Sequence, residues 1–118
     1  MFFYKNLYVS PRIKNPKRIK RDLVRGKGHF MLYILTLSRA VGKTRRPVLE
    51  IMHCANLQQP YYRANPPFIV GMAWGKEDAF ELVRSITQEA FHLSGQWDAA
   101  VWLLSKVERE HGSRGSRL

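Results

Sequence analysis

The sequence predicts a single α+β domain, with a mixed sheet and two helices mainly on one face. Its 118 residues are close to the commonest domain size, and a hydrophobic content of 45% is enough for a core. Apolar segments of strand length alternate with two segments that carry helix start and stop signals, in the order β-α-β-β-β-α-β. This mixture favours the α+β class. The domain is expected to comprise residues 1–106, followed by a flexible tail over residues 107–118.

The first strand and the first helix are expected near the start of the chain. Residues 2–10 are aromatic and β-branched, which is typical of a strand. Asn15 followed by Pro16 is a favourable helix start, because asparagine caps the first turn and proline suits the first helical position. The helix is expected to run to Arg25 and to end at Gly26 in the left-handed conformation.

An antiparallel hairpin is expected next. Residues 29–38 are apolar on both faces of a strand, and residues 48–55 form a second strand after a polar loop. A strand that is apolar on both faces is either central and covered on both sides, or covered on one side and placed in an oligomer interface on the other. The sequence leaves both alternatives open.

The second half of the chain is expected to add a strand, a long helix and a last strand. Residues 56–67 contain three prolines and are expected to have no regular structure. Residues 68–74 are predicted as a short buried strand, and the strongest helical periodicity follows, ending at Gly95. Residues 99–104 are predicted as the last strand.

Positive charge is concentrated in the first part of the chain. Of the 20 lysine and arginine residues, 13 lie in the first 46 positions, where Asp22 is the only acid. The other 7 basic residues are accompanied by 8 acids, so the first segment carries a charge of +12 and the rest of the chain −1, which gives the net charge of +11. Such a field attracts polyanions over roughly a Debye length, about 8–10 Å in physiological salt. The charge therefore predicts an anionic partner.

The first helix carries the strongest binding signal. Arg18, Arg21 and Arg25 recur at three- and four-residue spacing, which puts them on one face of the helix. A basic stripe that starts at a helix N-terminus can follow a phosphate backbone, although it can also be a solvated face that serves solubility. The residues predicted to bind nucleic acid or another anion are Lys14, Lys17, Arg18, Arg21, Arg25, Lys27, Arg45 and Arg46.

Tyr61, Tyr62 and Arg63 form the most distinctive loop. Two aromatic rings beside a guanidinium can stack on unpaired bases or hold a phosphate. They can equally form a lid over a sheet edge, with Arg63 bridging to a carboxylate. The three tryptophans, by contrast, are expected to close the core around the second helix: Trp74, Trp97 and Trp102.

Signals for an enzyme are weak. His53 and Cys54 are adjacent in a predicted strand, so their side chains point to opposite faces and cannot form a nucleophile–base pair. His53 is expected to be a hydrogen-bonded core or edge histidine, and Cys54 a small buried hydrophobe. The histidines and the cysteine show no zinc-ligand spacing, so neither a metal nor a cofactor is expected.

The cytoplasm is the expected location. A single cysteine allows no intramolecular disulfide, which fits a reducing compartment. The first residues lack the pattern of a signal peptide, and no apolar run approaches the roughly 20 residues that span a bilayer.

The sequence leaves three classes of function open. The leading hypothesis is a small non-enzymatic nucleic-acid-binding or nucleic-acid-associated protein with largely electrostatic affinity. The alternative is a homodimer or larger homo-oligomer that serves as an interaction module, in which the apolar strand at residues 30–37 and the aromatic N-terminal strand form the interface and an acidic protein neutralises the basic face. A small ribonuclease using Tyr61, Arg63 and His53 is less favoured. Whether the basic residues of positions 14–27 and 45–46 share one surface discriminates between these classes.

Overall fold

A four-stranded mixed sheet forms the centre of the protein in the computed structural model, which describes residues 2–39 and 46–111. The strands lie in the spatial order β1-β4-β2-β3 and are β1 (Phe2–Val9), β2 (Leu32–Arg39), β3 (Pro47–His53) and β4 (Phe68–Trp74). β1 is parallel to β4, whereas β2 is antiparallel to both β3 and β4. The predicted α+β class with a mixed sheet is confirmed.

Helices cover both faces of this sheet. They are α1 (Pro16–Val24), α2 (Pro60–Ala64), α3 (Lys76–Ser94) and α4 (Ala99–His111), with a 3-10 helix at Cys54–Gln58. α3 and α4 pack on one face, called here the α3 face. α1 packs on the opposite face, called here the α1 face, so the two helices of the prediction, α1 and α3, lie on different faces of the sheet and not mainly on one.

Both faces of β2 are buried, which accounts for the apolar residues that this strand carries on each face. Ile34 packs on the α1 face with Ile19, whereas the next residue, Leu35, packs on the α3 face with Ile86 and Leu103. Burial of each such side chain contributes about 1.5–3 kcal/mol relative to exposure. The alternative of a central strand covered on both sides is therefore confirmed.

A bulge in β4 changes which face its last residues occupy. Leu35 pairs with Gly71, but the next residue of β2, Thr36, pairs with Ile69, so Val70 is the extra residue. Strict alternation from Val70 would put Trp74 on the α3 face. Because of the bulge, Trp74 lies on the α1 face instead.

The end signals of α1 and α3 act as the sequence predicts. The Asn15 side chain accepts a hydrogen bond from the Arg18 N–H at 3.2 Å, and Pro16 occupies the first turn. Gly26 and Gly95 follow their helices with φ values of 78° and 77°, which favour glycine. Both helices therefore begin and end close to the expected positions.

The predicted strand at residues 99–104 is wrong, because these residues begin α4. Ala100, Leu103, Leu104 and Val107 are buried at helical spacing, and the side chain of Asp98 accepts hydrogen bonds from the first N–H groups of the helix. A six-residue apolar run alone does not separate a strand from a helix. The expected domain boundary after residue 106 falls inside α4, and residues 112–118 lie outside the described residues.

Residues 56–67 contain more regular structure than expected. The 3-10 helix runs from Cys54 to Gln58, and α2 begins at Pro60. Proline is compatible with this position because the first N–H groups of a helix have no intrahelical partner. The prolines therefore mark the boundaries of short helices, and the prediction of an irregular segment is wrong.

A polar network attaches α4 to β1 and α3. The Tyr8 hydroxyl donates to Glu89 Oε2 at 2.7 Å and accepts from Lys106 Nζ at 2.9 Å. Tyr4 donates to Glu110, so a second tyrosine of β1 contacts α4. Burial and the hydrogen bond to Glu89 raise the pKa of Tyr8. These contacts fix the position of α4 on the α3 face.

Within residues 2–39 and 46–111, no helix has both the length and the apolar character needed to cross a membrane.

Candidate anion-binding surface

Arg18, Arg21 and Arg25 lie on the exposed side of α1 and its C-terminal cap. The α1 sequence folds this way because Ile19 and Leu23 face the sheet, which leaves most of the charged positions of the helix in solvent. The residues buried on the inner side of the helix are Ile19, Asp22 and Leu23. The predicted basic stripe is thus brought together on one side of the helix.

Further basic residues extend this stripe at both ends of α1. All are exposed, and none forms an ion pair with a carboxylate within the part of the chain that the structure describes. Lys20 differs, because it is half-buried with its Nζ 5.2 Å from the centroid of the Phe3 ring. We call the following seven side chains the α1 surface: Arg12, Lys14, Lys17, Arg18, Arg21, Arg25 and Lys27.

The single acid of the basic segment does not neutralise this surface by direct pairing. The carboxylate of Asp22 is buried and contacts His29, with 2.9 Å between Asp22 Oδ2 and His29 Nε2. The hydrogen bond to His29 lowers the pKa of Asp22, against the opposing effect of desolvation. Asp22 therefore holds the turn after α1 in place, while the cations of the α1 surface remain accessible.

A cleft lies at the N-terminal end of the α1 surface. It has a volume of about 350 Å³, and three cations are among the residues that line it: Arg12, Lys14 and Arg18. The rings of His29 and Trp74 line it as well, with their centroids 6.0 Å apart. We call it the Trp74 cleft. It combines positive charge with aromatic surface.

A groove at the opposite end of α1 is lined both by the predicted basic stripe and by the predicted aromatic loop. Arg25 lines this groove together with Tyr62 and Arg63 of α2, and its volume is about 360 Å³. Tyr62 is half-buried and packs against the core, whereas Tyr61 is 64% exposed. The packing of Tyr62 agrees with the lid interpretation, whereas the exposure of Tyr61 and Arg63 agrees with the interpretation as a binding loop. We call it the α2 groove.

Arg46 does not join the α1 surface. Its Nη2 lies 3.2 Å from Asp98 Oδ2, next to the start of α4. The C-terminal end of β3 lies near the end of α1, since Leu23 and Cys54 line one cavity. Arg46 precedes the other end of this seven-residue strand, roughly 20 Å away at about 3.3 Å per residue. Arg45 lies outside the described residues.

His53, which was suggested for an enzyme together with Tyr61 and Arg63, is engaged in structural contacts, as is its neighbour Cys54. His53 Nδ1 accepts from the Ala55 N–H, so its Nε2 donates to the Phe30 carbonyl at 2.7 Å. Cys54 is buried, with its Sγ 3.2 Å from the His29 carbonyl. Both residues match the structural roles expected for them. Among the described residues, no three His, Cys, Asp or Glu side chains are grouped so as to hold a metal ion.

One cationic and two aromatic side chains of the Trp74 cleft are not among the predicted binding residues: Arg12, His29 and Trp74. Arg12 could have been found, because it belongs to the same basic segment as Lys14. Trp74 was expected in the core around α3, and only the bulge at Val70 brings it to the α1 face. Gly71, beside the extra residue, is a sequence signal for that bulge, because a glycine inside a strand often marks one.

No protein-family model, curated protein or solved structure matches this chain.

Proposed function

We propose that the protein is a non-enzymatic nucleic-acid-binding protein that contacts phosphates through the α1 surface. The observation that carries this proposal is the separation of charge between the two faces of the sheet. On the α1 face, seven exposed cations have no carboxylate partner among the described residues. On the α3 face, α3 and α4 together contain six acids and four basic residues. A polyanion is therefore attracted more strongly to the α1 face than to the α3 face.

The arrangement of the cations favours an extended ligand over a small anion. The α1 surface continues from the Trp74 cleft, along the helix, to the α2 groove. α1 has nine residues and a rise of about 1.5 Å per residue, so the cations span roughly 14 Å of helix and more with their flanks. Several phosphates of one strand fit along this distance, since successive phosphates of duplex DNA advance about 3.4 Å per strand.

Aromatic groups at both ends of the α1 surface favour nucleic acid over an acidic protein. Trp74 lies at one end, and Tyr61 and Tyr62 lie at the other, with their ring centroids 5.1 Å apart. Bases stack on such rings, whereas a carboxylate-rich peptide requires only the charges. Base contacts of this type are tolerant of sequence, so the protein is expected to have weak sequence selectivity.

The alternative of a homodimer through the apolar strand has less support. Both faces of β2 are covered by helices of the same chain, so this strand presents no free face to a second copy. Phe30 and Met31, the exposed apolar residues of the predicted strand, both precede β2. The aromatic N-terminal strand, β1, lies at the edge of the sheet, so a dimer through that strand stays a prediction, as does an acidic protein partner.

Two triple variants with the same loss of charge test the proposal. The first replaces Arg18, Arg21 and Arg25 by glutamine. The matched control makes the same replacement on the α3 face, at three exposed positions: Lys76, Arg84 and Arg109. Affinity for single- and double-stranded DNA and RNA is measured by mobility shift from about 50 to about 200 mM salt.

The α1 variant should bind at least about tenfold more weakly at low salt, and its plot of log K against log salt should be shallower by about 3. The control variant should resemble the unmodified protein. Equal losses in both variants would mean that only net charge matters. That result, or no binding at about 50 mM salt, would contradict the proposal.

A further inference from the structure

We propose that the Trp74 cleft takes one unpaired nucleotide, with its base against Trp74 and its phosphate on the surrounding cations, so that the protein prefers single-stranded nucleic acid to duplex. This inference rests on the proposed function and adds the class of nucleic acid. The observation behind it is that the aromatic surface and the cations line the same cavity.

The aromatic wall of the cleft is held in place by the fold. Trp74 is the last residue of β4, where it pairs with Leu32 of β2 and packs against the core of the α1 face. Its indole is half-buried, and the exposed remainder contributes to the cleft. The neighbouring ring of His29 is held by the hydrogen bond to Asp22. Because neither ring has to be ordered on binding, little conformational entropy is lost.

The charges of the cleft suit a phosphate. Arg12, Lys14 and Arg18 line it, and among the described residues no carboxylate does. Asp22 approaches only through its hydrogen bond to His29. A guanidinium presents a planar fork of donors that matches phosphate oxygens, and a lysine adds a mobile point charge.

The size of the cleft indicates one nucleotide. Small-molecule sites generally occupy about 300–1,000 Å³, and the volume of about 350 Å³ lies near the lower limit. A base inside a duplex has both faces covered by its stacked neighbours, so it cannot reach Trp74 unless it leaves the stack. The phosphate contacts are open to both kinds of strand, but the aromatic contact is open only to an unpaired base.

The test compares a labelled single-stranded oligonucleotide with its own duplex, by fluorescence anisotropy at one fixed salt concentration. The unmodified protein should prefer the single strand. Trp74→Leu should weaken single-strand binding by about tenfold and change duplex binding by less than about twofold, because only the base contact is lost. Trp97→Leu is the matched control, since Trp97 is exposed and stacks on Phe91 away from the cleft.

A second variant, Trp74→Phe, guards against a folding defect, because it keeps an aromatic wall and should retain most of the single-strand preference. Thermal unfolding of each variant is compared with that of the unmodified protein. Arg12→Gln, at an exposed position, should weaken binding of single strand and duplex to the same extent.

The outcomes separate this inference from the proposed function. If the unmodified protein binds single strand and duplex equally well, or if Trp74→Leu weakens both equally while remaining folded, the inference is wrong and the proposed function stands. If the unmodified protein binds neither single strand nor duplex, both the inference and the proposed function are wrong.

Discussion

At the residue scale, burial decides which charges of the basic segment are available to a partner. Lys20 extends over the Phe3 ring, and Asp22 is enclosed with His29, so neither belongs to the accessible surface. Lys20 and Asp22 both belong to the charged helix α1, and the sequence alone does not distinguish their environments from those of the exposed residues beside them. Their different roles follow from the position of each residue around the helix axis relative to the sheet.

Asp22 should make the stability of the protein depend on pH in the acidic range. Its pKa in the folded protein lies below its ordinary value of 3.8, chiefly because of the hydrogen bond to His29. A lowered pKa contributes stability that is present above this ordinary value and is lost as the pH falls through the folded value. Thermal unfolding between about pH 6 and about pH 2 should therefore show a falling Tm below about pH 4, and Asp22→Asn should flatten this fall.

Glu81→Gln is the control for that measurement, because Glu81 is an exposed carboxylate on α3. The slope left in Asp22→Asn belongs to other carboxylates. Glu110 is one, since burial opposes its ionisation but hydrogen bonds from Tyr4 and Asn6 outweigh this and lower its pKa. Identical pH profiles for Asp22→Asn and the unmodified protein would contradict the role assigned to the Asp22–His29 contact.

At the scale of elements, the sequence predicts well what local chemistry determines. α1 and α3 were predicted because their ends depend on residues adjacent in the chain, such as Asn15, Pro16 and Gly95. β4 has the predicted bounds for a similar reason, since prolines precede it and Gly75 follows it.

The errors at this scale occur where tertiary contacts decide. The run at residues 99–104 has a composition compatible with a strand, and it is helical because the period of its buried residues continues to Val107 against the α3 face. Trp74 is a similar case, because a bulge within the sheet moved it to the α1 face. The α2 groove could not be predicted either, since it depends on the packing of α2 beside the end of α1.

Asp98 should stabilise α4 as its N-terminal cap. Its Oδ1 accepts from the N–H groups of Ala100 and Val101 at 3.1 and 3.3 Å. Asp98→Ala should lower the free energy of unfolding by about 1 kcal/mol, within the range of about 0.5–2 kcal/mol for lost caps, as measured by urea denaturation.

Asp98→Asn separates the cap from the contact with Arg46. Asparagine keeps the acceptor oxygen but loses the charge that faces Arg46, and this exposed ion pair is worth at most about 1 kcal/mol. The asparagine variant should therefore be more stable than the alanine variant. Equal stability of the two variants would show that the side-chain oxygen of Asp98 does not act as a cap.

At the scale of the whole molecule, the positive charge that is concentrated in the first part of the chain lies mainly on one face of the sheet. The basic segment supplies α1 and its flanks, and the later segment supplies α3 and α4 on the opposite face. The sequence shows which residues are basic, but it does not predict that the sheet separates them from most of the acids. That separation depends on the strand order β1-β4-β2-β3, which brings β1 beside a strand about sixty residues later in the chain.

The proposal that nucleic acid binds to the α1 face is tested most directly by mapping amide chemical-shift changes as a single-stranded oligonucleotide is added to the protein. The account predicts that the largest changes fall within residues 12–29, at Tyr62 and Arg63, and at the indole N–H of Trp74. Residues of α3 and α4 that face solvent should change little. Changes centred on α3 and α4, or no changes at saturating oligonucleotide and low salt, would contradict it.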